Sequence, residues 1–288
     1  MKRNGQKTRH PIIAQFICLF AMAVTLCGCV DGEVNKETAP TDLSTQTTSQ
    51  LETTYAVTET TQITTEPTEI VTEPTMPQHS DLFLPSCTTQ QMVDYFSEVV
   101  LDVEYSSGDG DFTLVQKWTT PIFYRIYGTP TEEDSAVLNG LFTQLNEIQG
   151  FPGIYAAEDG ASENLSLSFL DYETFNQSFS EVINGEYAFG AVQFWYYTDT
   201  NDIYTARIGY RTDLDQVSRN SVLQEEIVNA LGISDTLLRE DSIVYQYSDE
   251  NTSLSDVDLV ILKLLYHPDI RCGMNSEECR AVIEKLYY

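Results

Sequence analysis

Between Val30 and Ser80 the chain offers almost nothing to bury. The stretch is Thr, Glu, Gln, Ser and Pro with few aromatics, and Thr65-Glu66-Pro67-Thr68 returns as Thr72-Glu73-Pro74-Thr75. Such a segment cannot cover enough apolar surface to offset the entropy lost on ordering it. Proline and like charge favour an extended linker, and at about 3 Å per residue it would reach on the order of 150 Å. A folded core must therefore come from the residues beyond it. From about Asp81 to Tyr288 the composition turns globular, and roughly 200 residues are enough for one substantial core.

The residues before the linker read as an address. Lys2, Arg3, Lys7 and Arg9 occur with no acidic residue, and an apolar run from Pro11 to Leu26 follows, broken by Gln15 and Thr25. That is the layout of a secretory signal peptide, and the run is shorter than the roughly 20 apolar residues a spanning helix needs. It ends in Leu26-Cys27-Gly28-Cys29, which resembles a bacterial lipobox. The resemblance implies a diacylglyceryl thioether on Cys29, cleavage before it and acylation of the freed amine. Two or more acyl chains hold a protein firmly at a membrane. The expected organisation is a signal peptide at 1–28, a Thr/Pro/Glu-rich disordered tether at 29–80 and an acidic globular domain at 81–288. The expected location is extracytoplasmic, lipid-anchored on the outer face of a Gram-positive-type envelope. A plain secretory signal or an uncleaved anchor helix is the competing reading.

Charge excludes one class of partner. The whole chain has 15 basic and 44 acidic side chains. Cleavage after residue 28 removes four basic and no acidic residues, leaving 11 against 44 and a balance of −33. Nucleic acid and anionic headgroups repel such a chain. No nucleic-acid partner is expected.

Within the domain, Thr88 to Gln91 leading into Met92, Tyr95, Phe96 and Val99 suggests an opening helix. Ser106 to Asp111 is a Gly/Asp turn without the closing glutamate of a calcium loop. Phe112 to Tyr127 is β-rich. Pro130-Thr131-Glu132-Glu133 starts a helix whose Val137, Leu138, Leu141, Phe142 and Leu145 share a face. Leu165, Leu167 and Phe169 alternate like a strand, and Tyr172 to Ile183 reads as a short helix. Tyr187 to Thr198 and Ile203 to Arg211 form a hairpin pattern. A helix spans about Gln216 to Leu231 and stops at Gly232, a C′ glycine. Two further helices are expected at about Ser255 to Tyr266 and Ser276 to Leu286. Strands mixed with helices, then mostly helices, give an α+β class.

Several segments carry a family likeness: Leu223 to Gly232, Asp241 to Tyr245, Leu254 to Asp258, and Leu264 to Pro268 with Gly273-Met274. With Lys117-Trp118 they resemble the bacterial domain-of-unknown-function family 2927 over most of residues 110–288. That family implies no activity. A more distant similarity is to metzincin-type zinc peptidases, whose H-E-x-x-H-x-x-G-x-x-H motif precedes a Met-containing turn. The motif falls on Glu225, Glu226, Asn229, Gly232 and Asp235. The turn is similar to Ser242-Ile243-Val244-Tyr245, with Val244 in place of methionine. Leu254-Ser255-Asp256-Val257-Asp258 through Leu265-Tyr266 resembles the helix that follows in the matrixin branch. A zincin-like mixed sheet, an active-site-type helix and a helical C-terminal part are what this similarity implies.

The chemistry departs from it. A catalytic zinc takes nitrogen or mixed ligands plus a water, and the three histidines are His10, His79 and His267, none of them a helical pair. Glu226 stands at the general-base position, while Glu225, Asn229 and Asp235 are hard oxygen ligands suited to Ca²⁺ or Mn²⁺ and not to zinc. Charged helix faces are usually just solvated, so Glu225 and Glu226 are expected on an exposed surface, Asn229 near a helix end and Asp235 in a loop. No cofactor is expected. Trp195, Tyr196, Tyr197, Tyr204 and Tyr210 cluster in the hairpin, as sheet filling or as a carbohydrate-facing surface. An exported location permits disulfides, and Cys272 and Cys279 flank a short turn that a bridge would close, leaving Cys87 over.

The functional expectation is a surface lipoprotein whose degenerate zincin-like domain serves in binding or structure, with a cell-wall polymer or another envelope protein as partner. The alternatives are a peptidase-like hydrolase using Glu226 with an oxygen-ligated metal, and a carbohydrate- or peptidoglycan-binding module.

Overall fold

The structure is a computed structural model that describes residues 80–101, 114–183 and 188–288. The expected signal peptide, Cys29, the tether up to residue 79 and the turn at 106–111 lie outside the described residues. No helix among those described is long and apolar enough to cross a membrane.

Most expected elements form close to where the local signals put them, although the short helix expected from Tyr172 to Ile183 ends at Ser178. Helix α1 (Thr89–Leu101) opens with Thr88 and Gln91 exchanging side-chain and backbone hydrogen bonds. Strands β1 (Lys117–Trp118) and β2 (Ile122–Tyr127) follow. Helix α2 (Glu132–Asn146) begins with a capping box between Thr131 and Asp134, which satisfies backbone donors that a helix start leaves open. Then come β3 (Ile154–Ala156), β4 (Leu165–Leu170), α3 (Tyr172–Ser178), β5 (Gly190–Tyr196) and β6 (Asp202–Arg211). Helix α4 (Gln216–Ala230) is capped by Asp215, α5 (Asp256–Leu265) by Ser255 and α6 (Ser276–Tyr287) by Asn275.

The strands make one mixed sheet. Strand β6 pairs in parallel with β1 and β4, β4 with β2, and β2 with β3, while β5 runs antiparallel to β6. Mixed α/β architecture is thus observed, with more parallel pairing than the local patterns disclose. The short strand β3 carried no sequence signal of its own. Its three residues take their conformation from pairing with Ile122 to Tyr124.

One face of the sheet meets the main core, where Ile122, Leu165, Leu167, Ala206 and Ile208 pack with α1, α2, α4 and α5. A smaller cluster on the other face gathers Phe175, Phe179, Val182 and Ala191 beneath α3. Phe179 presses so close to β6 that a Cβ at Gly209 would meet its ring at 2.3 Å.

Helix α4 lies at the centre, against α2, β5 and β6. Every residue from Ser221 to Ala230 is buried. The carbonyls that a helix end leaves open are taken by core aromatics: Trp118 Nε1 donates to Ala230 O at 2.8 Å and Tyr266 OH to Leu231 O at 3.2 Å. Gly232 has φ 100°, and a Cβ there would meet Gln116 O at 2.1 Å. The chain must turn at this point, and only glycine fits.

Candidate functional site

A helix as polar as α4 is normally left partly in water. Here Glu225 is 2 % exposed, Glu226 4 %, Asn229 2 % and Asp235 7 %. The expectation that Glu225 and Glu226 form exposed helix surface is therefore overturned. The sheet and α2 close over a helix that sequence reasoning, weighing α4 alone, left in solvent.

The structure brings Asn229 and Asp235 together. Asn229 Nδ2 donates to Asp235 Oδ1 at 3.0 Å, across the turn that Gly232 makes. Glu226 joins this pair electrostatically. Burial, and then the nearby Asp235 charge, push its carboxyl well above the usual glutamate range. Its Oε1 lies 2.5 Å from where a Cβ on Gly190 would be, so β5 seals the carboxyl against the sheet. Glu225 is buried on the same helix. Among the described residues no group of three or more His, Cys, Asp or Glu side chains is placed to hold a metal ion.

The segment after Asp235 is fixed from two sides. Glu98 Oε1, on α1, accepts from Thr236 Oγ1 and from Leu237 N, both at 3.0 Å. Asp258, on α5, accepts from Ser242 Oγ at 2.5 Å and Ile243 N at 3.0 Å while also closing the capping box with Ser255. Burial raises the Asp258 carboxyl, and these hydrogen bonds oppose the shift. Tyr95 adds its hydroxyl to Ser242, and burial raises that phenol too. The turn at Ser242 to Tyr245 is therefore held by acceptors that Asp258 supplies from the first turn of α5. Val244, at the position of the expected methionine, is buried at 1 %.

Two buried groups have no counterpart in the sequence expectations. Arg219 forms an ion pair with Asp134, which is fully buried and also receives Gln216 Nε2 at 2.8 Å, locking α2 to α4. Asp134 also closes the capping box at the start of α2, and nothing local announced its Arg219 partner. Lys117 sends its ammonium to Leu265 O at 2.7 Å and Ile270 O at 2.5 Å, at the end of α5, and burial pushes its pKa down to about 8.

The expected Cys272–Cys279 bridge is absent: Cys87, Cys272 and Cys279 are free thiols. Cys272 Sγ donates to Lys117 O at 3.6 Å, and burial pushes Cys272 up to about 11 and Cys279 up to about 12. Thiols held protonated are poor partners in exchange. In the hairpin, Tyr210 is core, donating to Leu223 O at 3.2 Å, and Tyr196 packs partly against the core. Trp195 lies on the opposite face of β5.

This architecture defines a single-sheet α/β domain organised around a buried polar helix. The chain belongs to the DUF2927 family, described as protein of unknown function, whose model matches residues 89–285. The match reaches 21 residues further toward the N-terminus than the likeness seen in the sequence, taking in α1. No curated protein matches the chain.

Proposed function

We propose that the chain is a lipid-anchored envelope protein that displays a degenerate zincin-like domain in a non-catalytic binding role. One observation carries this reading: the positions that would hold a metal and a general base are packed inside the fold. A carboxyl that keeps its proton under Gly190 is a poor general base, since catalysis wants a group poised near the working pH. The succession of sheet, buried helix, pinned turn at Ser242 to Tyr245 and following helix supports a zincin-like ancestry. The basic start of the chain, its short apolar run and Cys29 support the anchor.

A second reading draws on a specific observation. Glu226 Oε2, Asn229 Oδ1 and Ser221 Oγ are buried without hydrogen-bond partners, and orphaned buried oxygens are costly unless a cation or water meets them. Ca²⁺ or Mn²⁺ would suit such oxygens, making an oxygen-ligated hydrolase with Glu226 as base the alternative.

The experiment is to load the purified chain with Zn²⁺, Mn²⁺ and Ca²⁺ in turn, measure bound metal, and assay general peptidase substrates. The non-catalytic reading expects no turnover with any metal. Stoichiometric metal together with turnover abolished by Glu226→Gln would replace it with the hydrolase.

A further inference from the structure

Among the described residues, the cluster beneath α3 covers only part of the sheet face turned away from the main core. Register places Arg125, Ser166, Arg207 and Gln193 in one row across β2, β4, β6 and β5. One row along, Phe123 pairs with Tyr155 at one side and Thr205 with Trp195 at the other. Phe123 is 42 % exposed, Tyr155 51 % and Tyr127 44 %. Just past β5, Tyr197 stacks on Tyr204 with centroids 4.5 Å apart. From β2 to β5 is three inter-strand steps, about 14 Å at about 4.8 Å each. The floor between the aromatic margins is Ser166, Ser168 and Thr205.

Arg207 breaks a pattern that the rest of the fold keeps. The other arginines that are not exposed each take a carboxylate: Arg125 with Glu163, Arg211 with Asp213, Arg219 with Asp134, Arg239 with Asp241 and Arg280 with Asp94. Arg207 gives Nε to Gln193 Oε1 at 2.8 Å and lies 4.9 Å over the Phe179 ring. Among the described residues no carboxylate pairs with it. In a chain with 44 acidic side chains, a partly buried guanidinium that takes no carboxylate among the described residues is an open fork shaped for one. Aromatic edges beyond it offer flat apolar faces with polar rims.

We propose that this face binds a carboxylate-bearing oligosaccharide, its acid on the Arg207 fork and its sugar faces against Tyr155 and Phe123 on one side and Trp195 on the other. The Arg207 fork, acting locally against the chain's acidic balance, selects the acid, and the spread of aromatics from Phe123 to Trp195 across about three strand spacings selects an extended polymer over a single small anion. The proposal rests on the non-catalytic reading given above and supplies the ligand class for it.

The test titrates the full chain with hexagalacturonate, with its fully methyl-esterified form and with inorganic polyphosphate, by calorimetry. The acid hexamer is expected to bind at least about tenfold more tightly than the ester, the discrimination a lost charge-assisted pair gives. Arg207→Gln is expected to remove that preference, Arg207→Lys to restore part of it, and Tyr155→Ala to weaken acid and ester alike. Because Tyr155 is exposed, its variant keeps the test open if Arg207→Gln fails to fold. Equal binding of acid and ester, tighter binding of polyphosphate, or no binding with the hexamer intact overturns the proposal alone. So does burial of the face in a dimer seen by sedimentation. Cleavage of the hexamer, read by mass spectrometry on the same mixture, overturns the non-catalytic reading and the proposal with it.

Discussion

Glu226 fills the space that a side chain at Gly190 would need: its Oε1, Cγ and Cδ all lie within 3.0 Å of the missing Cβ. The Glu226 carboxyl is thus wedged against β5. Gly190→Ala is expected to destabilise the domain by about 1–3 kcal/mol, the usual cost of overpacking. Shortening the wedge with Glu226→Ala in the same chain should recover part of that loss, because the two positions share one volume. Urea unfolding of the single and double variants measures the coupling; strict additivity would contradict it.

The raised Glu226 carboxyl has a defined sign in pH. The folded state holds the proton more tightly than the unfolded chain, so its contribution is fully present below the ordinary glutamate value of about 4.5 and is lost as pH rises toward the folded pKa. In that window stability falls by up to about 1.4 kcal/mol per pH unit for one proton. Glu226→Gln, which imitates the neutral acid, is expected to flatten the slope and to be more stable than the wild type at the alkaline end. Denaturation midpoints at a series of pH values from 5 to 9, in wild type and variant, provide the check.

Arg219 and Asp134 form a pair that cannot be half removed. Asp134→Asn leaves a buried guanidinium without its counter-charge, and a loss of about 3–5 kcal/mol is expected. Replacing both residues with apolar side chains of similar volume should cost less than the single change. If Asp134→Asn unfolds at the wild-type midpoint, the pair does not join α2 to α4 as described.

The thiols of Cys272 and Cys279, pushed up to about 11 and about 12 by burial, should react slowly with iodoacetamide in the native chain at pH 8 and quickly after unfolding. Intact mass should not rise by about two protons on reduction. Rapid native alkylation, or that mass shift, would show that the region opens or that a bridge forms.

Much of the fold was legible locally. Thr131 with Asp134, Asp215, Ser255 and Asn275 are N-cap residues of the types that mark helix starts, and each begins a helix. Leu165, Leu167 and Phe169 alternate as strand residues do, and the hairpin sits at β5 and β6. The candidate site was legible only as a set of positions. Asn229 and Asp235 meet because Gly232 turns the chain between them, which their spacing allowed. That Glu226 is sealed under Gly190, 36 residues earlier, depends on β5 pairing with β6 and lying against α4. No local pattern carries that.

What the sequence determined by itself was the acidic composition and most element boundaries of the described residues. These depend on composition, on periodicity and on capping chemistry within a few residues. Only the tertiary structure decided that a helix rich in carboxylates and amides would be central and buried, that Cys272 and Cys279 would remain thiols near Lys117, and that Arg207 would take no acid among the described residues. Each of these is set by which distant side chains arrive at the same place. Burial and pairing are properties of that arrival, and they reverse the exposed-surface expectation that α4 alone would support.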